Sequence, residues 1–102
     1  MSNKVYTIDE LKKKIGEILS NFPVQKAVLF GSYAKGYANE KSDIDLVIDS
    51  KGEIRGLKFF GVLGRLTDAL EKDVELIEQR EIIIDSKIDK EIKRTGVTVY
   101  ER

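Results

Sequence analysis

The chain has 102 residues, 41% apolar and 35% charged, with 18 lysines and arginines against 18 aspartates and glutamates; it is long enough for one core and carries no formal net charge. That balance disfavours a long nucleic acid as partner, because proteins that hold one neutralise its phosphates with an excess of cations. The absence of cysteine and histidine excludes disulfides, thiolate nucleophiles, Cys/His metal sites and Ser-His-Asp catalysis, leaving carboxylates, hydroxyls, lysines, backbone groups and oxygen-ligated metals.

Thr7-Ile8-Asp9-Glu10 has the spacing of a capping box, and Ile8, Leu11, Ile15, Ile18, Leu19 and Phe22 follow at helical intervals, which predicts a first helix over 7–21. Pro23 ends it, and Val24 to Phe30 reads as a short apolar strand stopped by Gly31. Ser32 to Lys35 is the first turn of a short helix and Gly36 to Lys41 a polar loop. Asp43 to Asp49 is a second strand, with Ile44, Leu46 and Ile48 on one face and Asp43, Asp45, Val47 and Asp49 on the other.

After a loop, Leu57, Phe60, Leu63, Leu66 and Leu70 mark a helix over 57–71, whose Gly61 and Gly64 are expected to pack closely on the sheet and whose Phe59-Phe60 pair is assigned to the core. Asp73 to Glu78 is a third strand, with Val74 and Leu76 facing away from Asp73 and Glu75. Ile84, Ile88 and Ile92, closed by Gly96, suggest a last helix before an edge strand over 97–100, although the run Ile82-Ile83-Ile84 equally suits the start of a strand. The fold class is therefore α/β, in the α+β sense: a small mixed sheet with helices packed on one face, in one domain over residues 1–102. The N-terminal stretch lacks the apolar core of a leader, and no run approaches the ~18 apolar residues of a membrane span, so the expected location is cytoplasmic.

Residues two apart on a strand point the same way, so the carboxylates of Asp43 and Asp45 converge. At ~4 Å and an effective dielectric of about 20, two such charges repel by on the order of 4 kcal/mol, a large fraction of a typical stability of roughly 5–15 kcal/mol. A divalent cation reverses that sign, and Mg²⁺ suits an all-oxygen donor set that also takes substrate phosphates. Upstream, a strand running into Gly31-Ser32 and a helix start presents backbone N–H groups and a hydroxyl to an anion such as phosphate. Gly31 and Gly36 have the glycine spacing of a P-loop, but Tyr37-Ala38 stands where Lys-Ser/Thr is required, and there is no GxGxxG. Taken singly, Asp43-Ile44-Asp45 also suits the solvated face of an edge strand, and Gly31-Ser32 an ordinary strand-to-helix turn.

Together, Gly31-Ser32-Tyr33-Ala34-Lys35-Gly36 and, eleven positions after Ser32, Asp43-Ile44-Asp45-Leu46 resemble the signature of the polymerase-β-like nucleotidyltransferase superfamily, in particular its minimal (MNT) members. The resemblance implies a nucleotidyltransferase fold, with Gly31 and Ser32 holding the nucleoside triphosphate and Asp43 and Asp45 ligating one or two Mg²⁺ ions. It also implies a third acid on the next strand. Glu75, between Val74 and Leu76, fills that slot, where relatives more often show Asp; it would share the metal or accept the proton of the attacking hydroxyl. Lys35 falls where relatives place a basic residue, in reach of phosphate or in solvent. Tyr33 is expected to pack on the short helix, and Asp73 and Glu78 are expected at the surface.

The implied reaction is Mg²⁺-dependent transfer of a nucleotide, AMP from ATP, to a hydroxyl. The implied partner is a HEPN-type toxin, for which the chain would be the antitoxin. The rival reading is a non-catalytic partner-binding or nucleotide-sensing module on the same fold.

Overall fold

Thr7 begins the first helix as its sequence spacing predicts: its hydroxyl accepts a hydrogen bond from the Glu10 N–H at 3.1 Å, and the Glu10 carboxylate accepts from the Thr7 N–H at 2.9 Å. The computed structural model describes residues 4–102; residues 1–3, part of the stretch read above for a leader, lie outside them. Helix α1 (Ile8–Leu19) buries Leu11, Ile15, Ile18 and Leu19. It leads into strand β1 (Lys26–Phe30), the five-residue helix α2 (Gly31–Lys35), β2 (Ile44–Asp49), α3 (Leu57–Leu70), β3 (Val74–Glu78), α4 (Lys87–Thr95) and β4 (Val97–Glu101).

The strands lie in the order β3-β2-β1-β4. Strand β1 runs antiparallel to β2 and β4, whereas β2 and β3 are parallel. A parallel pair needs a crossover, and α3 supplies it while covering the sheet. The alternation of β2 is decisive: Ile44, Leu46 and Ile48 are fully buried with Ala27 and Leu29 of β1, beneath the apolar stripes of α1 and α3. The Tyr6 hydroxyl donates to the Leu70 carbonyl at 2.7 Å, tying the segment before α1 to the end of α3.

The stripe of α3 differs from its sequence expectation. Val62, Leu66 and Leu70 are buried and Phe59 and Leu63 pack against the core, but Leu57 is 90% exposed and Phe60 65% exposed. Phe60 touches Phe59 edge-on instead of the sheet. Gly61 and Gly64 are likewise not packing glycines: both are exposed, and a β-carbon at either would meet nothing within 4 Å. A buried line through Val62, Leu66 and Leu70 turns the Leu57–Phe60–Gly64 side outward. The last helix starts later than its isoleucines suggest; Gln79–Glu81 forms a 3₁₀ turn, and Ile83 and Ile84 stand exposed before Ser86 caps α4 through the Asp89 N–H.

The two long helices share one face of the sheet. Short α4 approaches the other, where Gly96 lies so close to Val28 that a β-carbon there would collide with it. Among the described residues no helix is long and apolar enough to cross a membrane.

Candidate active site

Register places the acids. Antiparallel pairing sets Phe30 opposite Asp45, and parallel pairing sets Asp45 opposite Glu75, so Asp45 lies between the end of β1 and the third acid. All three acids named from the sequence project from the sheet face opposite α1 and α3, since Ile44, Leu46 and Leu76 take the core side. Asp45 is half-buried, while Asp43 and Glu75 are exposed.

Gly31 follows Phe30 with φ 75, in the left-handed region that favours glycine. Its α-carbon faces the Asp45 carboxylate so closely that any β-carbon would strike Oδ2. Positive φ thus favours glycine at this turn, and any larger residue would also have to displace the Asp45 carboxylate. Ser32 lies in the first turn of α2, and its carbonyl accepts from the Gly36 N–H at 3.1 Å and the Tyr37 N–H at 3.2 Å, closing the helix at a left-handed Gly36. Tyr33 packs into the core, and its buried hydroxyl has no hydrogen-bond partner among the described residues.

Burial disfavours the charge on Asp45. So do the hydrogen-bonded carboxyl of Glu75 and the negative charges of Glu75, Asp43 and Glu91, and together these push the Asp45 carboxyl up to about 7. Two acids on neighbouring strands thus face each other, with Asp43 in electrostatic reach of Asp45. The structure does not close Asp43, Asp45 and Glu75 into a cage: among the described residues no group of three such side chains is arranged to hold one ion. The donor chemistry nonetheless fits a hard divalent cation, because every ligand atom on offer is oxygen and Asp45 sits where a second negative charge is disfavoured.

Lys35 is an ion-pair partner of Glu91, which reaches across from α4; that contact holds the lysine ammonium above its ordinary value. Sequence reading passed over Glu91, because one glutamate within the charged run Lys87 to Arg94 gives no signal. Asp73 is exposed, as expected. Glu78 is a correction: it is buried, accepting from the Ser50 hydroxyl at 2.6 Å, with its other carboxylate oxygen unpartnered among the described residues. Its place on the core side of β3, two residues beyond Leu76, draws it inward. A cavity of about 890 Å³ opens on the acid-bearing face over Val28 and Val47, flanked by Lys26, Lys51, Arg80 and Lys93, and none of Gly31, Asp43, Asp45 and Glu75 lines it.

The sequence profile of the family described as Polymerase beta, Nucleotidyltransferase matches residues 13–102. The chain belongs to the polymerase-β nucleotidyltransferase family. This nucleotidyltransferase is 34% identical over 86 residues to MJ1215 of Methanocaldococcus jannaschii, whose name proposes protein adenylyltransferase activity; the match covers 80% of this chain and 100% of that one. Two solved structures share its fold. A chain of a toxin–antitoxin crystal structure with AMP-PNP superposes with a TM-score of 0.74 at 24% identity, over 89% of this chain and 73% of the other. A chain from the complex of tri-AMPylated Shewanella oneidensis HEPN toxin with MNT antitoxin gives 0.70 at 21% identity, over 94% and 74%. The nucleotidyltransferase fold and membership expected from Gly31-Ser32 and Asp43-Ile44-Asp45 therefore hold.

Proposed function

We propose that this nucleotidyltransferase moves AMP from ATP to a hydroxyl of a partner protein, as the cytoplasmic antitoxin of a HEPN/MNT toxin–antitoxin pair. The observation that carries the reading is that Asp45 lies against the left-handed Gly31 turn and pairs in register with Glu75. The AMPylated HEPN toxin and the AMP-PNP complex among its structural neighbours, and the name of its archaeal relative, support the donor, the transferred group and the partner.

The residues divide the work by position. Backbone N–H groups at Gly31 and Ser32 and the Ser32 hydroxyl hold the triphosphate, and Lys35 supplies a positive charge one helical turn away. The partner hydroxyl oxygen bonds to the α-phosphorus as the bond from that phosphorus to the oxygen bridging to the β-phosphate breaks. Pyrophosphate departs, and the hydroxyl proton passes to the exposed Glu75 carboxylate. Asp43 and Asp45 would hold Mg²⁺, with Glu75 free to act as the base, and the ion when bound offsets the charge gathering on the phosphate oxygens.

Incubation with ATP labelled at the α-phosphate, Mg²⁺ and a HEPN protein encoded beside this chain tests the reading, with mass spectrometry to find the adduct. Label should appear on a partner hydroxyl and fall by about a hundredfold or more in the Asp43→Asn/Asp45→Asn double variant. Undiminished labelling by that variant, or none by the parent chain, defeats the proposal. The open arrangement of the three acids favours one rival, a binder that captures its partner without turnover. Formation of the complex with no pyrophosphate released would decide for it.

A further inference from the structure

Lys35 closes α2 four residues after Gly31, and helix side chains slant back toward the N-terminus, so its stem runs toward the Gly31–Ser32 turn. Its ammonium is not left to solvent there. Glu91 of α4 pairs with it, both side chains being about two-thirds shielded, at 30% and 31% exposure. This is a charged link between two helices in contact, with Gly31 at the start of α2 against Asp45 and Gly96 at the end of α4 against Val28. Glu91 also stands in electrostatic reach of Asp45.

A carboxylate is thereby planted at the rim of a site read as the receiver of a polyanion, where its charge opposes a triphosphate. With respect to Lys35 it does what a phosphate oxygen would do, accepting from the ammonium. We propose that Glu91 is a positioning residue that stands in for phosphate, holding Lys35 beside the Gly31–Ser32 turn in the nucleotide-free chain and yielding it to the incoming triphosphate. The inference rests on the reading of that turn as a nucleotide site. It assigns Glu91 a role in nucleotide affinity and in selectivity for the number of phosphates.

Calorimetric titration of the full chain with ATP, ADP and AMP, each with Mg²⁺, tests it without recourse to turnover. Glu91→Gln should bind ATP about two- to tenfold more tightly than the parent chain, with a smaller gain for ADP and almost none for AMP. The gain should shrink as salt is raised, and it should shrink again in a Lys35→Ala background, where no lysine is released. Weaker ATP binding by Glu91→Gln, in the manner of Lys35→Ala, would overturn the inference by making Glu91 an aid to binding. An equal change for all three nucleotides would overturn it by reducing Glu91 to a structural prop. Should the parent chain bind no ATP, the nucleotide-site reading fails and the inference with it. ATP bound equally by parent and variant sinks the inference alone.

Discussion

On one face of the sheet Ala27, Leu29, Ile44, Leu46 and Ile48 lie fully buried beneath α1 and α3; on the other, one step along the same strands, stand Val28, Asp45 and Glu75 among charged neighbours. The same backbone serves both, because alternate residues of a strand point to opposite sides. The first face gains from every apolar atom withdrawn from water. The second gives up stability where it gathers acids, in the direction in which burial and neighbouring carboxylates raise Asp45. Beneath the acids, the other face is closed without polar interruption at these five positions.

Three substitutions separate the faces. The largest effect belongs to the dry side: Leu66→Ala removes a fully buried side chain from the α3 stripe and should cost about 2–5 kcal/mol in urea unfolding, with affinity for ATP per folded molecule nearly unchanged. A loss under about 1 kcal/mol would show that α3 is not clamped to the sheet as described. Next, Gly31→Ala forces a methyl group onto Asp45 and a non-glycine residue into left-handed backbone, the latter alone worth about 1–2 kcal/mol. It should weaken ATP binding more than it lowers the unfolding midpoint, and the reverse ranking would remove the turn from the site.

The smallest effect is a dependence on pH. A carboxyl raised on folding lends stability that is complete below its unfolded value of 3.8 and lost as pH climbs through about 7. Metal-free protein should therefore unfold at lower urea at pH 8 than at pH 5. Glu10 and Asp89 are displaced the other way, lowered by their hydrogen bonds, so the stability they lend is lost as pH falls and not as it rises. Asp45→Asn should flatten the slope, and a slope that survives it would assign the effect elsewhere.

How far the sequence could be read follows the same division. Capping at Thr7, the alternation of β2, and Gly31-Ser32 with Asp43 and Asp45 are local patterns, and local patterns survive into the fold. Strand order is not local; neither is the parallel register that brings Glu75 beside Asp45, which depends on how α3 crosses over. The outward turn of Phe60, Gly61 and Gly64 was hidden because α3 holds apolar residues on more than one side, and only its neighbours choose among the possible stripes. Glu78 shows the limit of reading charge as surface: it follows the inward alternation of its strand and finds Ser50 from a loop 28 positions away. Glu91 became visible only when α4 was seen beside α2.

Strand β3 is one of the two edges of the sheet, β4 being the other, so the third acid rides on a strand hydrogen-bonded to a neighbour on one side alone. A short side chain fixed to a loosely tethered ribbon would drift out of range whenever that ribbon frayed. Glutamate adds a methylene and another rotatable bond to aspartate, so on the proposed reading its carboxylate would tolerate such fraying, and shortening it to aspartate would trade that slack for a dependence on how firmly the margin is held.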